Sequence, residues 1–225
     1  MQVLEAEALA DFVPAHDAAA RAVPIGINAD SLQTWFLDGL ARLHRRHGYL
    51  FDVRVDDQDH TQEMLRDGTV LGAVTGQAKP IQGCNVDPLG AMRYFAIASP
   101  VFAETHFRNG IHAAALATAP LIVFDRKDDL QWRFIRRITR ARVSPPVHYL
   151  PTSIGFVEAA ALGLGWCLAP ETLISSAVED GRVVVLEAGR WLDVPLYWQY
   201  AAVRSETLEN VGRAFYEAAT GALRR

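Results

Sequence analysis

The feature that most constrains this chain is the continuously apolar run Val70-Leu71-Gly72-Ala73-Val74, which closes a series of alternating strand-like and helix-like segments. A run without a polar face suits a strand covered by helices on both sides, the environment of a parallel sheet. Upstream, Val23-Pro24-Ile25-Gly26-Ile27 reads as a strand and Asn28-Ala29-Asp30-Ser31 as a turn. A helix follows, with Leu32, Trp35, Phe36, Leu40 and Leu43 at helical spacing. Asp30 and Gln33 have capping-box spacing and place the helix start there. Phe51, Val53 and Val55 alternate with Asp52, Arg54 and Asp56 in a second strand with one wetter face, and a short helix carries Met64 and Leu65. Strand, helix, strand, helix, strand is the doubly wound α/β pattern.

A second set repeats it. Extended stretches at Val86 to Leu89 and Tyr94 to Ala98 lead to a strand at Leu121 to Phe124, a helix at Leu130 to Ile138, a strand at Val147 to Leu150, a helix at Phe156 to Leu162 and a strand at Trp166 to Ala169. Gly163 reads as the cap of that last helix. After a strand at Val183 to Leu186 come a long strand at Leu196 to Val203 and an amphipathic helix with Leu208, Val211, Phe215 and Ala218 on one face. The expectation is an α/β fold of two Rossmann-like lobes joined by a two-stranded hinge, with crossings near residues 95 and 195. Residues 1–22 form the tail of a helix and a linker, 23–95 plus 196–225 the first lobe, and 96–195 the second. Ligands of open α/β sheets bind beyond the carboxyl ends of the strands, so facing strand ends define a cleft.

Composition narrows the function classes. The chain of 225 residues is half apolar, with 22 basic side chains against 26 acidic and a net charge of −4. That is enough for a sizeable core and lacks the basic footprint of a domain that grips phosphates. Cys84 and Cys167 stand apart in apolar company and read as buried thiols of a reducing compartment. The acidic start, Met1 to Glu7, has no apolar core of a secretory signal, and Ile154 to Pro170 contains Glu158 and glycines unsuited to a membrane span. A cytoplasmic protein without a membrane partner is expected.

The residues just after each strand carry the chemistry: Asn28, Asp30 and Ser31; Asp56 and Asp57; Thr75; Phe124 and Asp125; Thr152 and Ser153. Helix starts after Asp30 and Ser153 would present free N–H groups to a carboxylate, with hydroxyls from Ser31, Thr75, Thr152 and Ser153 as further donors. The acids would pair with ammonium groups, which are costly to bury alone. The set points to a zwitterionic, cationic small ligand such as a basic amino acid. Helix capping by Asn28, Asp30 and Ser153 is the competing reading, as are ordinary turn roles for Asp56, Asp57 and Asp125.

Enzyme signatures fail. No GxGxxG, Walker A or HExxH motif is present, and Pro151 stands where a nucleophile elbow around Ser153 needs its first glycine. His44 and His47 flank Arg45 and Arg46 in a solvated basic helix segment, without a carboxylate at ligand spacing. Tyr197, Trp198 and Tyr200 suit core or hinge packing. No cofactor and no metal are implied. A small-molecule enzyme or a solute-binding protein on the same two-lobe fold is the rival reading, since fold does not fix function.

The run from Val23 to Trp35, with Asn28-Ala29-Asp30-Ser31-Leu32 at its centre, resembles the opening of the effector domain of LysR-type transcriptional regulators, in the ArgP/LysG branch that responds to lysine and arginine. The likeness continues through Val55-Asp56-Asp57, Gly72-Ala73-Val74-Thr75, Leu89 to Tyr94, Phe124-Asp125 and Leu196-Tyr197-Trp198, and covers residues 23 to 225. It implies a type II periplasmic-binding-protein-like fold with the effector in the cleft, and contacts that map onto Ser31, Thr75 and Thr152 or Ser153. It also implies a homodimer, or a tetramer in the full-length protein, and control of an amino-acid exporter gene. Pairing would use the helix from Leu32 to Arg46 and the one around Phe156 to Leu162. In this family a winged helix-turn-helix and a linker helix come first. Met1 to Phe12 matches only the end of that helix, so the expectation is a shortened regulator that contacts DNA only through the part it lacks.

Overall fold

The computed structural model describes residues 22–55, 60–152 and 154–225. The expected linker helix, Asp56, Asp57 and Ser153 lie outside the described residues. The chain forms two compact units, one reaching Ala91 and resuming at Pro195, the other running from Met92 to Val194.

In chain order the first unit contains β1 (Val23–Ile27), a helix through 29–47 (α1), β2 (Phe51–Val55), α2 (His60–Arg66) and β3 (Gly72–Thr75). The chain leaves it along β4 (Cys84–Ala98). The second unit continues with α3 (Pro100–Phe107), α4 (Ala113–Thr118), β5 (Leu121–Val123), α5 (Leu130–Ile138), β6 (Val147–Tyr149), α6 (Ile154–Ala161), β7 (Cys167–Pro170), α7 (Glu171–Glu179) and β8 (Val184–Val185). β9 (Trp191–Ala201) returns the chain to the first unit, which α8 (Glu206–Thr220) completes.

In the first unit β1 is central. β2 pairs with it in parallel, Val23 opposite Phe51 and Ile27 opposite Val55, and β3 pairs in parallel on the other side, Ile25 opposite Gly72. β9 runs antiparallel to β3, with Val74 opposite Trp198 and Thr75 opposite Tyr197. α1 is π-helical over Leu32–Phe36. A π turn takes in an additional residue, and the neighbours Trp35 and Phe36 are both buried. They meet Phe215 of α8 at ring distances of 6.2 and 4.6 Å, and Trp198 meets the same ring edge-on at 5.0 Å. Burying each of these rings contributes on the order of 3 kcal/mol. The Trp198 ring lies over Gly72, where a Cβ would come within 2.1 Å of it.

The second unit repeats the order. β5 and β6 are parallel, Leu121 opposite Val147. Trp166, just before β7, bonds along β5 through Ile122 N–H to its carbonyl (2.9 Å) and its own N–H to Pro120 O (3.0 Å). β4 is antiparallel to β7, Ile97 opposite Cys167, and β8 flanks β4. Ile97, Ile122, Phe156, Val157, Cys167, Ile174 and Val183 form its core. Arg93 of β4 donates two 2.8 Å hydrogen bonds to the Asp193 carboxylate of β9 and stacks on the Trp191 ring at 4.3 Å. Trp191 Nε1 donates to the same carboxylate.

Several sequence expectations change. The two extended stretches before residue 98 are one strand, β4, which continues through Gly90 (φ 133°) between them, with Arg93 held by Asp193. The α1 cap is Asn28 rather than Asp30: the Asn28 side chain accepts the Ser31 N–H at 2.8 Å, and Asp30 sits inside the first turn. Helices α3, α4 and α7 were not foreseen. α3 mixes buried Phe102 and Phe107 with Val101, 77% exposed, so no clean stripe announces it. Cys84 is only half-buried, at the start of β4 against the cluster of Leu65, Val70 and Ala73, and that burial raises its thiol pKa. Cys167 is buried as expected, Gly163 follows α6 with φ 82°, and Trp198 packs in the core. Among the described residues no helix is long and apolar enough to cross a membrane.

Gly72→Ala should cost about 1–3 kcal/mol in urea unfolding, since the methyl group displaces the Trp198 ring. Hydrogen bonds from Arg93, joined by its charge, hold the Asp193 carboxyl below its ordinary value of 3.8. The stability this adds is complete above that value and is lost as pH falls through the lowered one. Asp193→Asn should therefore lose about 1 kcal/mol at neutral pH, the upper range for a partly exposed pair. The gap to the unsubstituted chain should close in acid below the ordinary carboxylate range.

Candidate functional site

The chain leaves β1 for β2 on one side and comes back to β3 on the other. The β1/β3 boundary is thus a topological switch point, where a crevice opens beyond the carboxyl ends of the strands. Parallel pairing in register carries Asn28 and Thr75, which follow and end these strands, to the same end of the sheet.

Asn28 is extended (φ −79°, ψ 154°), as a helix cap must be, and 7% exposed. Its Oδ1 accepts the Ser31 N–H, while its Nδ2 is buried without a partner. Ser31 is fully buried and its Oγ is likewise unpartnered. A buried polar group left unpaired costs about 1–3 kcal/mol, and native folds seldom tolerate two side by side. Asp30 lies half-buried in the same first turn, and its carbonyl accepts from Thr34 Oγ1 at 2.8 Å. Thr75 is fully buried, and its Oγ1 accepts the Gln77 N–H at 3.3 Å.

Gln199 belongs to this group and was missed. Fully buried on β9, it donates from Nε2 to Gln77 O at 2.8 Å and accepts the Ile81 N–H at 3.2 Å, pinning the segment after β3. A lone amide flanked by the aromatic residues Trp198 and Tyr200 was the readable signal.

In the second unit, parallel pairing of β5 and β6 likewise brings Phe124, Asp125 and Thr152 to one end, with Leu150 N–H on Val123 O at 2.9 Å. Phe124 packs half-buried on the core. The Asp125 carboxylate accepts the N–H groups of Lys127 (2.7 Å) and Asp128 (3.0 Å), the work of a turn acid. Thr152 is exposed and its Oγ1 accepts the Gly155 N–H at 3.3 Å, capping α6. A cavity of about 520 Å³ at the start of α3, between Ser99, Phe102, His106, Leu162 and Arg182, contains none of these strand-end residues. Among the described residues no group of three or more His, Cys, Asp or Glu converges as a metal site would require.

The strand ends of the first unit thus offer neutral donors, an N–H and hydroxyls, beside a carboxylate in the first helical turn. Such an arrangement offers hydrogen-bonding partners to a small polar molecule; among the described residues at this strand end no nucleophile stands beside a base.

Comparison with known proteins agrees. The sequence profile of the LysR substrate-binding domain matches residues 16–224. The transcriptional regulator LysG of Mycobacterium tuberculosis is 40% identical over 225 residues, covering 99% of this chain and 72% of that protein. The crystal structure of ArgP from Mycobacterium tuberculosis superposes with a TM-score of 0.91 at 40% identity, over 99% of this chain and 75% of that one. Full-length LysG of Corynebacterium glutamicum, with the effector Arg bound, superposes with a TM-score of 0.85 at 36% identity, over all of this chain and 76% of that one. The relatives are transcriptional regulators, not enzymes. The fold is the type II periplasmic-binding-like fold of LysR regulatory domains. By sequence, topology and switch-point site, this chain belongs to the LysR-type transcriptional regulators, as a regulatory domain of the LysG and ArgP kind.

Proposed function

We propose that this domain senses a basic amino acid, lysine or arginine, and passes its occupancy to a DNA-binding winged helix-turn-helix of the same regulator to control an amino-acid exporter gene in the cytoplasm. The observation that carries the reading is the pair of buried, unpartnered groups at the β1/β3 switch point, Asn28 Nδ2 and Ser31 Oγ, with the Thr75 hydroxyl nearby. Unlike the unpartnered indole N–H groups of Trp35, Trp166 and Trp198, these two polar side chains stand together at a strand end, where a ligand can complete them and offset their cost. A ligand carboxylate supplies the acceptors. Asp30 in the first unit, Asp56 and Asp57 after β2, and Asp125 of the second unit supply negative charge for the ammonium or guanidinium groups, with Phe124, Thr152 and Ser153 as further contacts. The bound Arg in the Corynebacterium relative supports the ligand class.

The ligand shifts the assembly only through its different affinity for the domain's alternative arrangements. That assembly is a homodimer, or a tetramer in the full-length regulator. Leu37 of α1, 57% exposed, and Leu162 at the end of α6, 70% exposed, supply apolar surface for it.

Titration calorimetry with lysine, arginine, histidine and neutral amino acids should show binding by lysine or arginine above the rest; no binding by any basic amino acid removes the assignment. Asp30→Asn should weaken lysine binding, and an unchanged affinity would exclude Asp30 from pairing with an ammonium group. Asn28→Asp keeps the acceptor that caps α1 but replaces the free donor, so arginine affinity should fall about tenfold or more, the worth of one charge-assisted hydrogen bond. Its melting temperature should hold, whereas Asn28→Ala should lose about 1 kcal/mol with the cap.

A further inference from the structure

A chain-wide charge of −4 conceals a steep local asymmetry. Between Leu130 and Val157 the sequence has five arginines, Arg133, Arg136, Arg137, Arg140 and Arg142, and neither Asp nor Glu, so this stretch carries +5 and the rest of the chain −9. The arginines lie on α5 and the loop that follows it, within the second unit. Phe134 and Ile135 are buried, while Arg136, Arg137, Arg140 and Arg142 are exposed and Arg133 is half-buried. Arg133 precedes Arg136 and Arg137 by three and four positions, the spacing that sets side chains on one side of a helix. Elsewhere Arg42, Arg54, Arg93, Arg108 and Arg182 each stand against a carboxylate. Here, among the described residues, Arg136 alone does, with Asp129 at 3.3 Å, and both side chains are so exposed that the pair is weak and readily exchanged. Arg137 donates to the neutral carbonyl of Trp191 at 2.9 Å, and the nearby Asp193 is already engaged by Arg93. Arg133, Arg140 and Arg142 form no ion pair among the described residues.

A helix dipole favours cations near its carboxyl end, but the effect fades within the last turn. It accounts for Arg136 and Arg137, and not for Arg133 in mid-helix or for Arg140 and Arg142 beyond the end of α5. Like charges gathered without counterions repel one another, and an anionic partner relieves that cost. We infer that this arginine stretch is a DNA-backbone contact, independent of base sequence and separate from the helix-turn-helix after which the relatives are named. The residue type fits phosphate, because the planar guanidinium fork pairs with two of its oxygens at once. At physiological salt, charges more than about 8 Å away are largely screened, so acids elsewhere on the chain do not cancel the local field. A DNA duplex presents a charge about every 1.7 Å along its axis. Arg133 to Arg137 alone spans a helical rise of about 6 Å, so several phosphates come within reach of the stretch. DNA is also the polyanion that a transcriptional regulator meets where it acts. This surface lies apart from the strand-end site of the first unit and does not depend on which ligand that site takes. It goes beyond the expectation that DNA is met only outside this domain.

The test is fluorescence anisotropy of a labelled DNA duplex of arbitrary sequence, titrated with this chain from about 50 to about 200 mM salt. Binding should weaken with salt along a log–log slope of about −3 to −4.5, the latter value corresponding to five phosphate contacts. The double variant Arg140→Gln/Arg142→Gln should bind about tenfold or more weakly at the low-salt end, with the slope reduced in magnitude by about two. Arg140→Lys/Arg142→Lys keeps both charges and should keep the slope. Arg204→Gln/Arg213→Gln removes the same charge from exposed positions of the first unit and should change affinity by no more than about twofold, since those sites lie outside the contact. The inference falls if the chain binds no duplex, or if the two glutamine pairs weaken binding equally, which would reduce the effect to net charge. It falls also if poly-glutamate of equal charge competes better than unlabelled duplex, which would make the stretch a contact for an acidic protein surface. An absence of amino-acid binding in calorimetry would remove the ligand assignment and leave this inference standing.

Discussion

The packing of Trp198 on Gly72 and Phe215 is the contact on which the first unit depends. Trp198 stands opposite Val74 on β9, buried on the core side, and its ring occupies the space a side chain at residue 72 would need. Side chains alternate across a strand, so seating Trp198 in the core sends Gln199 to the opposite face. There it reaches Thr75, Gln77, Lys79 and Ile81. A slip of one residue in β9 would exchange these roles, setting the indole among the polar groups after β3 and the amide among rings. Core packing and the polarity of the candidate site therefore share one register.

That register also accounts for the tolerance of unpaired polar groups at the switch point. Asn28 both starts α1 and leaves its Nδ2 free, while Ser31 places its N–H on the cap and its hydroxyl in a fully buried position. The π-helical stretch that follows sends both Trp35 and Phe36 onto Phe215. The apolar anchoring of α1 holds the cap residues in place.

Much of this was legible in the residues. The apolar run of β3, the alternation of β2, the spacing of α1, α5 and α8, and the polar residues after each strand all follow from local periodicity. The unforeseen helices have short sequences without a clear stripe, and α3 is recognisable chiefly from Ser99 capping and Pro100 at its first position. Asn28 and Asp30 were both readable as caps of α1; Asp30 and Gln33 imitate a capping box, but Asn28 two residues earlier has the extended backbone and the bond to Ser31 N–H.

By itself the sequence determined the α/β alternation, the strand-end candidates and the family, because these depend on residue type and spacing along the chain. Only the tertiary structure decided which candidates share a strand end, which of their atoms are already spent, and that Gln199 is among them. Thr75 and Gln199 are 124 positions apart in the sequence, and whether a hydroxyl is left with a lone pair or a hydrogen to offer depends on neighbours that only folding brings within reach.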